Sequence, residues 1–338
     1  MEPAAAREAL TPLRAALRDM VDVPAALAHF APGAEVHLCH PFETMPAADY
    51  AAPLAALTAA LPDVERHELI VMAGPDAGGA VWVGICGNWV GTFAAPLLGI
   101  PPTGRAVHMR FHEFYRMGGR RIAELQALWD LPELMLQAGA WPLAPSLGTE
   151  GRVPGPALGD GLHTGPWRDG AGATALVDAM VAGLLRHAEG GPKAMELDRF
   201  WHPKMAWYGP AGIGQTRGIA GFRQAHQIPW LGAMPDRTVR DETPVHLFGE
   251  GDFAGFTAWP GLHATLSAGT FLGLPGAGQE VEVRSLDFWR CEGGVLRENW
   301  VLVDILHMAD QLGLDVLARA AELTAPRRDP GLWLSGAP

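Results

Sequence analysis

Residues 272–313 read LGLPGAGQEVEVRSLDFWRCEGGVLRENWVLVDILHMADQLG, and residues 98–139 read LGIPPTGRAVHMRFHEFYRMGGRRIAELQALWDLPELMLQAG. Laid over one another at an offset of 174 residues, with no gap, the two stretches agree at 14 of 42 positions. The identities include Leu98/Leu272, Gly99/Gly273, Arg110/Arg284, Arg116/Arg290, Glu124/Glu298, Asp130/Asp304 and Gln137/Gln311. Many of the other positions, Met109/Val283, Tyr115/Trp289 and Ile122/Leu296 among them, keep apolar character. Solenoid repeats run to about 50 residues at most, so a period this long means two copies of one domain. A residue kept in both copies reads as scaffold. A residue that differs shows which copy carries chemistry.

Size and composition fit this reading. The chain has 338 residues, 49% of them apolar and 18% charged, enough for two domains with real cores. The 42 glycines and 29 prolines favour turns and short strands over a helix bundle. A net charge of −12 and the lack of any Lys/Arg stripe argue against a nucleic-acid partner. Cys39, Cys86 and Cys291 form no spaced motif, which suits a reducing cytoplasm better than a disulfide framework. The first 20 residues hold no signal-peptide h-region, and no window is apolar enough to span a membrane. The expectation is a soluble, cytoplasmic protein with no membrane partner.

In the first copy, Leu10, Leu13 and Leu17 recur at helical spacing and predict a helix over 5–20. A short helix over 23–30, a strand over 34–39 and a helix over 48–61 follow. Strands are expected over 64–73, 80–93, 105–117 and 121–129, then a helix over 131–138. The second copy repeats the order: helices 173–187 and 193–201, strand 204–208 and helix 218–231. Strands follow over 236–249, 252–268, 279–291 and 294–303, then a helix over 304–313. Helices followed by a long meander are an α+β pattern. The fold class is two tandem cone-shaped domains, each a curved antiparallel sheet wrapped around about three helices. The expected division is a first, degenerate domain over 1–140, a Gly/Pro-rich linker over 141–171, a second domain over 172–325 and a tail over 326–338. Apolar positions shared by the copies predict sheet-to-sheet packing, an intrachain pseudo-dimer, and leave further self-association open.

Phe200–Arg237 reads FWHPKMAWYGPAGIGQTRGIAGFRQAHQIPWLGAMPDR. Its pattern WYGPAGIG…G…GF…H…P…PDR resembles tandem-domain members of the SnoaL-like polyketide cyclase family, in the nuclear-transport-factor-2-like superfamily. The resemblance covers roughly 172–313 and reaches the first copy through the repeat. It implies a conical pocket between sheet and helices. It also implies an intramolecular aldol cyclisation without metal or organic cofactor, in which an Asp of an E-H-W-D strand segment, helped by a His, removes a carbon-bound proton. Here that segment is Glu298-Asn299-Trp300-Val301, so Asn299 stands at the His position and Val301 at the Asp position. The first copy has Leu125 and Ala127 there.

Strand alternation supplies substitute candidates. If Asn299 and Val301 face the cone, Arg297 and Val303 share their side. On the preceding strand Asp287 lies on one face with Val283, Ser285 and Trp289, and its first-copy counterpart is Glu113. A carboxyl group in an apolar cavity has a raised pKa and acts as a base near neutral pH, unless a neighbouring Arg284 or Arg297 neutralises it. His263, on the strand before, is a candidate second acid or base, or else a structural histidine. The candidate catalytic set is Asp287, His263 and Asn299, and the candidate binding set is Trp207, Tyr208, His226, Trp289 and Val301. Core packing is the favoured alternative for Trp207 and Tyr208, and His226 reads equally as a residue fixing the helix over the cone. Pro235-Asp236-Arg237 reads as a turn, and Asp130 and Asp304 as helix N-caps. No cofactor or metal is expected. The pairs His37/His40 and His108/His112 lack a third ligand, and the latter pair is roughly 13 Å apart by strand rise alone. Two functions follow. One is a SnoaL-like cyclase, or a related cofactor-independent acid–base enzyme, acting on a small, largely apolar molecule. The other is a non-catalytic carrier of such a molecule. A dehydratase, isomerase or epoxide hydrolase of the same fold is a third.

Overall fold

The computed structural model describes residues 1–338 except 19, 21, 241–242, 268–269, 277 and 329–338. Two mixed sheets, each with helices packed on it, form two α+β domains. The first sheet contains β1 (Phe30–Leu38), β2 (Glu43–Pro46), β3 (Glu65–Pro75), β4 (Val81–Thr92), β5 (Ala106–Gly118) and β6 (Arg121–Trp129), in the order β2-β1-β6-β5-β4-β3. The second contains β7 (Trp201–Tyr208), β8 (Gln215–Arg217), β9 (Val245–Glu250), β10 (Phe253–Leu266), β13 (Gln279–Glu292) and β14 (Val295–Val303). Its order, β8-β7-β14-β13-β10-β9, is the same arrangement. The two-residue strands β11 (Thr270–Phe271) and β12 (Leu274–Pro275) pair apart from it. Neighbours run antiparallel except β1 with β6 and β7 with β14, which are parallel. Parallel partners need a long crossover, and the helices and strands between them supply it.

Local departures from the sequence expectation have local causes. The first helix breaks into Pro3–Ala9 and Thr11–Arg18, since Pro12 has no N–H to donate back along it. Leu10, Leu13 and Leu17 are nonetheless buried, as their spacing requires. The 218–231 helix becomes Gly218–Phe222, a wide π turn over Arg223–Gln227, and Ile228–Ala233. Pro229 cannot bond the carbonyl four residues back, and the turn before it widens. The strand expected over 236–249 is confined to β9, and Thr238 makes only a lone bridge to His263. A helix, Val316–Arg328, takes the first residues of the expected tail, and the rest of that tail lies outside the described residues.

The identities between copies are scaffold. The glycine pairs 99/273, 104/278, 119/293 and 139/313 all adopt positive φ, which only glycine tolerates cheaply. Gln137 clamps both backbone groups of His108, at 3.1 and 2.6 Å, and Gln311 clamps those of Glu282, at 2.8 and 2.9 Å. Glu124 faces Arg116 at 2.8 Å, and Glu298 faces Arg290 at 3.5 Å.

The sheets pack back to back. Phe114 and Phe288, equivalent in the repeat, stack with centroids 4.8 Å apart and 20° between planes. Gly84 stands opposite Phe114 in the ladder and Gly255 opposite Phe288. A Cβ on Gly84 would lie 2.8 Å from the Phe288 ring, and one on Gly255 would lie 2.9 Å from the Phe114 ring. His112 Nδ1–H donates to the Leu286 carbonyl at 2.7 Å. Around this centre the shared Arg/Asp pairs reach across. Arg110, 3.3 Å from Asp130, donates to the carbonyls of Tyr208 (2.9 Å) and Gly209 (2.6 Å). Arg284, 3.4 Å from Asp304, reaches Glu43 at 2.6 Å. Asp304 caps its helix through the His307 N–H at 3.1 Å and also accepts from His40 N–H at 2.9 Å. Asp130 makes no such cap; its carboxylate accepts from Ala211 N–H of the second domain at 3.0 Å. The buried apolar side chains of both domains form one cluster.

The Gly/Pro-rich connection lies against both sheets. Pro154 O accepts from Trp300 Nε1–H at 2.9 Å, Asp160 pairs with Arg290 at 2.9 Å, and Trp167 Nε1–H donates to Ala73 O at 2.9 Å.

Filling either glycine notch should force the sheets apart. Gly84→Ala or Gly255→Ala is expected to lower the unfolding free energy in urea by about 1–3 kcal/mol. Gly172→Ala, whose Cβ would meet nothing within 4 Å, is expected to be neutral or stabilising.

Candidate functional site

With the convex faces used against each other, the concave faces are left. In the second domain a cavity of about 220 Å³ lies between the sheet and the helices over it. One benzene ring occupies a cavity of about 150 Å³, so there is room for a larger apolar body. Val283, Ser285, Asp287 and Trp289 of β13 and Asn299, Val301 and Val303 of β14 form its floor, as alternation predicted. Arg297, expected on the same side, reaches the Lys204 carbonyl and Glu292 instead and is not part of the lining.

Asp287 is buried, with Phe256 and Val301 as its cross-strand neighbours. Its carboxyl group accepts from the Ser285 hydroxyl at 2.6 Å. Neither arginine considered as its neutraliser is used for that: Arg284 serves Glu43 and Asp304, and Arg297 serves Glu292. Burial therefore dominates and pushes the Asp287 pKa up to about 7, against the opposing effects of the Ser285 hydrogen bond and the Arg110 charge. Asn299 is buried beside it, its amide donating to the Phe288 carbonyl at 3.0 Å.

The wall is aromatic. Phe222, His226 and Trp230 follow one another at intervals of four residues and present one face to the cavity. His226 stacks on Trp207 at 4.3 Å and 19°. Burial, aided by the Arg237 charge, pushes its pKa down to about 3, so the ring is neutral at physiological pH. Trp289 meets Phe256 edge to face at 6.3 Å.

Two candidates fall on the other side of the sheet. Tyr208 pairs with Trp300 across the ladder while Trp207 pairs with Asn299, so Trp207 points in and Tyr208 out. The Tyr208 hydroxyl donates to Glu298 at 3.2 Å and its ring lies on Trp300. Likewise Leu262 pairs with Val283 and lines the cavity, whereas His263 pairs with Glu282 and faces away, 3.9 Å from that carboxylate. Sequence reasoning missed Trp201, Phe222, Trp230, Arg237 and Val239. The four-residue aromatic spacing was a readable signal for two of these.

A family model described as SnoaL-like polyketide cyclase matches residues 9–138 and 181–312. The chain belongs to this family. Among solved structures it is similar to AclR of Streptomyces galilaeus, a proposed hydroxylase, with 22% identity over 42% of this chain and 90% of that one and a TM-score of 0.36. It is also similar to IdmH of Streptomyces antibioticus, a proposed polyketide cyclase (21%, 39% and 96%, TM-score 0.34). A third is TsrD of Streptomyces laurentii (29%, 41% and 96%, TM-score 0.32). No curated protein matches the chain.

The two SnoaL-like cones differ in one decisive respect. Glu113, the counterpart of Asp287, is fully buried and bonded by Arg66 at 2.7 Å and by the Tyr115 hydroxyl at 2.6 Å. The Arg66 guanidinium lies over Phe111 at 4.0 Å and Trp89 at 5.1 Å. Asp63 accepts from Thr92 N–H as Asp236 does from Thr265 N–H, which sets an offset of 173 residues here. At that offset Arg66 corresponds to Val239 and Trp89 to Leu262, and both counterparts line the open cavity. The second copy has kept the carboxylate and lost its cation. Among the described residues no group of three or more His, Cys, Asp or Glu is placed to hold a metal ion, and no helix is long and apolar enough to cross a membrane.

Two outcomes test these electrostatics. Arg66→Ala leaves Glu113 buried and uncompensated, so it should cost about 3–5 kcal/mol of stability, much of it recovered in Arg66→Met/Glu113→Leu. In the folded protein Asp287 holds a proton to about pH 7 that the unfolded chain releases near pH 4. Its contribution therefore favours folding least at high pH, with the change falling between about pH 4 and 7. Asp287→Asn should raise the thermal midpoint relative to wild type, with a difference that grows over that window and levels off above it.

Proposed function

We propose that the second cone is an acid–base site for a small, largely apolar molecule, with Asp287 as the group that takes and returns a carbon-bound proton. The observation that carries this is a single carboxyl group on the floor of an apolar cavity, with a pKa of about 7 and without the arginine its counterpart has. A base is most effective when its pKa lies near the working pH. The acid that the family resemblance places at position 301 is valine here. Val301 and Asp287 are direct cross-strand partners, so Asp287 puts a carboxylate one strand away from the same place. Trp207, His226, Trp289 and Val301 shape the cavity around a flat apolar body, and Asn299 supplies a fixed amide beside the base. The reading needs no metal or organic cofactor. The first domain, residues 1–140, serves as the scaffold that makes one chain the equivalent of a dimer, and residues 172–325 carry the site. Three free, buried cysteines suit a reducing cytoplasm.

A carrier function is the second reading, favoured by Val301 and by the apolar walls. Deuterium uptake at C1 of 2-tetralone, a bicyclic ketone with acidic protons, separates the two. An acid–base site should accelerate uptake, with a rate that rises with pH to a plateau above about 7, as the carboxylate form is needed. Asp287→Asn should then slow uptake by about a hundredfold or more. Uptake unchanged in that variant rules out Asp287 as the base, and binding without acceleration by the wild type supports the carrier.

A further inference from the structure

Arg237 stands at the cavity wall, half-buried, and its position is unlike that of the deeply buried arginines. Arg7, Arg66, Arg110, Arg284 and Arg290 are all buried, and each faces a carboxylate. Among the described residues Arg237 has one polar partner, the Leu184 carbonyl at 2.8 Å, and no carboxylate. A guanidinium has five N–H donors in a fork that matches a carboxylate. Holding such a group in an apolar wall without a counter-ion is costly. The chain carries a net charge of −12, so the lack of a carboxylate beside Arg237 among the described residues does not come from a shortage of acids.

We propose that the ligand of the second cone is an apolar ring system bearing a carboxylate, held by Arg237 while the rings lie along Trp207, His226 and Trp230. The proposal rests on the reading of this cone as the ligand site and adds the ligand's charge. The geometry suits it. His226 stays neutral beside Arg237, so it neither competes for the anion nor adds a second cation. Asp287 also lines this cavity, and a ligand carboxylate placed there would meet a like charge. The anion therefore belongs at Arg237, with the uncharged ring system towards Asp287. The same guanidinium would equally serve a phenolate or enolate arm, so the matched probes isolate the carboxylate.

The test compares 2-naphthoate with neutral 2-naphthamide, the same rings and nearly the same shape, by titration calorimetry at pH 8. The wild type should bind naphthoate roughly ten- to a hundredfold more tightly. Arg237→Gln should bring the ratio of affinities close to one, and Arg237→Lys, which keeps the charge and loses the fork, should give an intermediate ratio. Circular dichroism melts confirm that the variants fold. If Arg237→Gln does not fold, the wild-type and Arg237→Lys ratios decide the matter. Equal affinities in the wild type, a preference that survives Arg237→Gln, or no binding of either probe overturns the proposal. The ratio is independent of proton transfer. Loss of the tetralone result with the naphthoate preference intact defeats the acid–base reading alone. The reverse result defeats the anion site alone.

Discussion

Phe114 and Phe288 meet between the two sheets, and Gly84 and Gly255 let them do so. A sheet has two faces to cover, and a single layer of helices can cover only one of them. Here each convex face covers the other, and the close approach at the glycine notches merges two small cores into one. The interdomain reach of Arg110 and Arg284 depends on that approach. So does the position of Asp130, which gives up its own helix cap to hold the Ala211 N–H of the second domain. Once the convex faces are committed, only the concave faces are left to hold a ligand.

The two cones then resolve one physical problem in opposite ways. A carboxyl group on a buried concave face must be neutralised by a cation or by a proton. The first cone uses Arg66, whose guanidinium lies over the neighbouring rings of Phe111 and Trp89. The second has Val239 and Leu262 in the places of Arg66 and Trp89, so a cavity opens and Asp287 shifts its pKa instead. A sheet position that serves architecture in one copy is thereby released for chemistry in the other. Only a few side-chain exchanges separate the two states, because the backbone arrangement is common to both.

Much of this could be read from the chain. The repeat identified two domains, and its shared Arg, Asp, Glu, Gln and Gly positions proved to be clamps, ion pairs and positive-φ turns. Alternation along β13 and β14 placed Asp287, Asn299, Trp289 and Val301 on one floor. The same rule misplaced Tyr208 and His263 only because no neighbour had fixed which parity of β7 and β10 faced inwards. Trp207 and Leu262 take the inner positions, so their neighbours turn out. The parallel pairings of β1 and β7 were not legible, since pairing partners distant in sequence leave no local signal. Nor was the role of Arg237. A Pro-Asp-Arg run looks like a turn until the cavity beside it is seen. The change of offset from 174 to 173 hid the correspondence of Arg66 with Val239; Pro62-Asp63 and Pro235-Asp236 echo one another in the sequence at the shorter offset, and the matching Asp63 and Asp236 hydrogen bonds fix it.

The Gly/Pro-rich connection has a consequence for how the chain meets copies of itself. Each sheet ends in a strand, β3 or β9, with one side unpaired by its own sheet. Gly161 and His163 bond both backbone groups of Val71 on β3, and Asp169 bridges to Glu250 on β9. One passing segment thus occupies ladder positions on both edges, at points where an extended strand from another molecule would otherwise add on. A stretch that has no regular structure of its own acts as a guard against edge-to-edge association. Its many glycines and prolines suit that task, since they let the chain follow two edges without becoming a strand that offers a new edge to solvent.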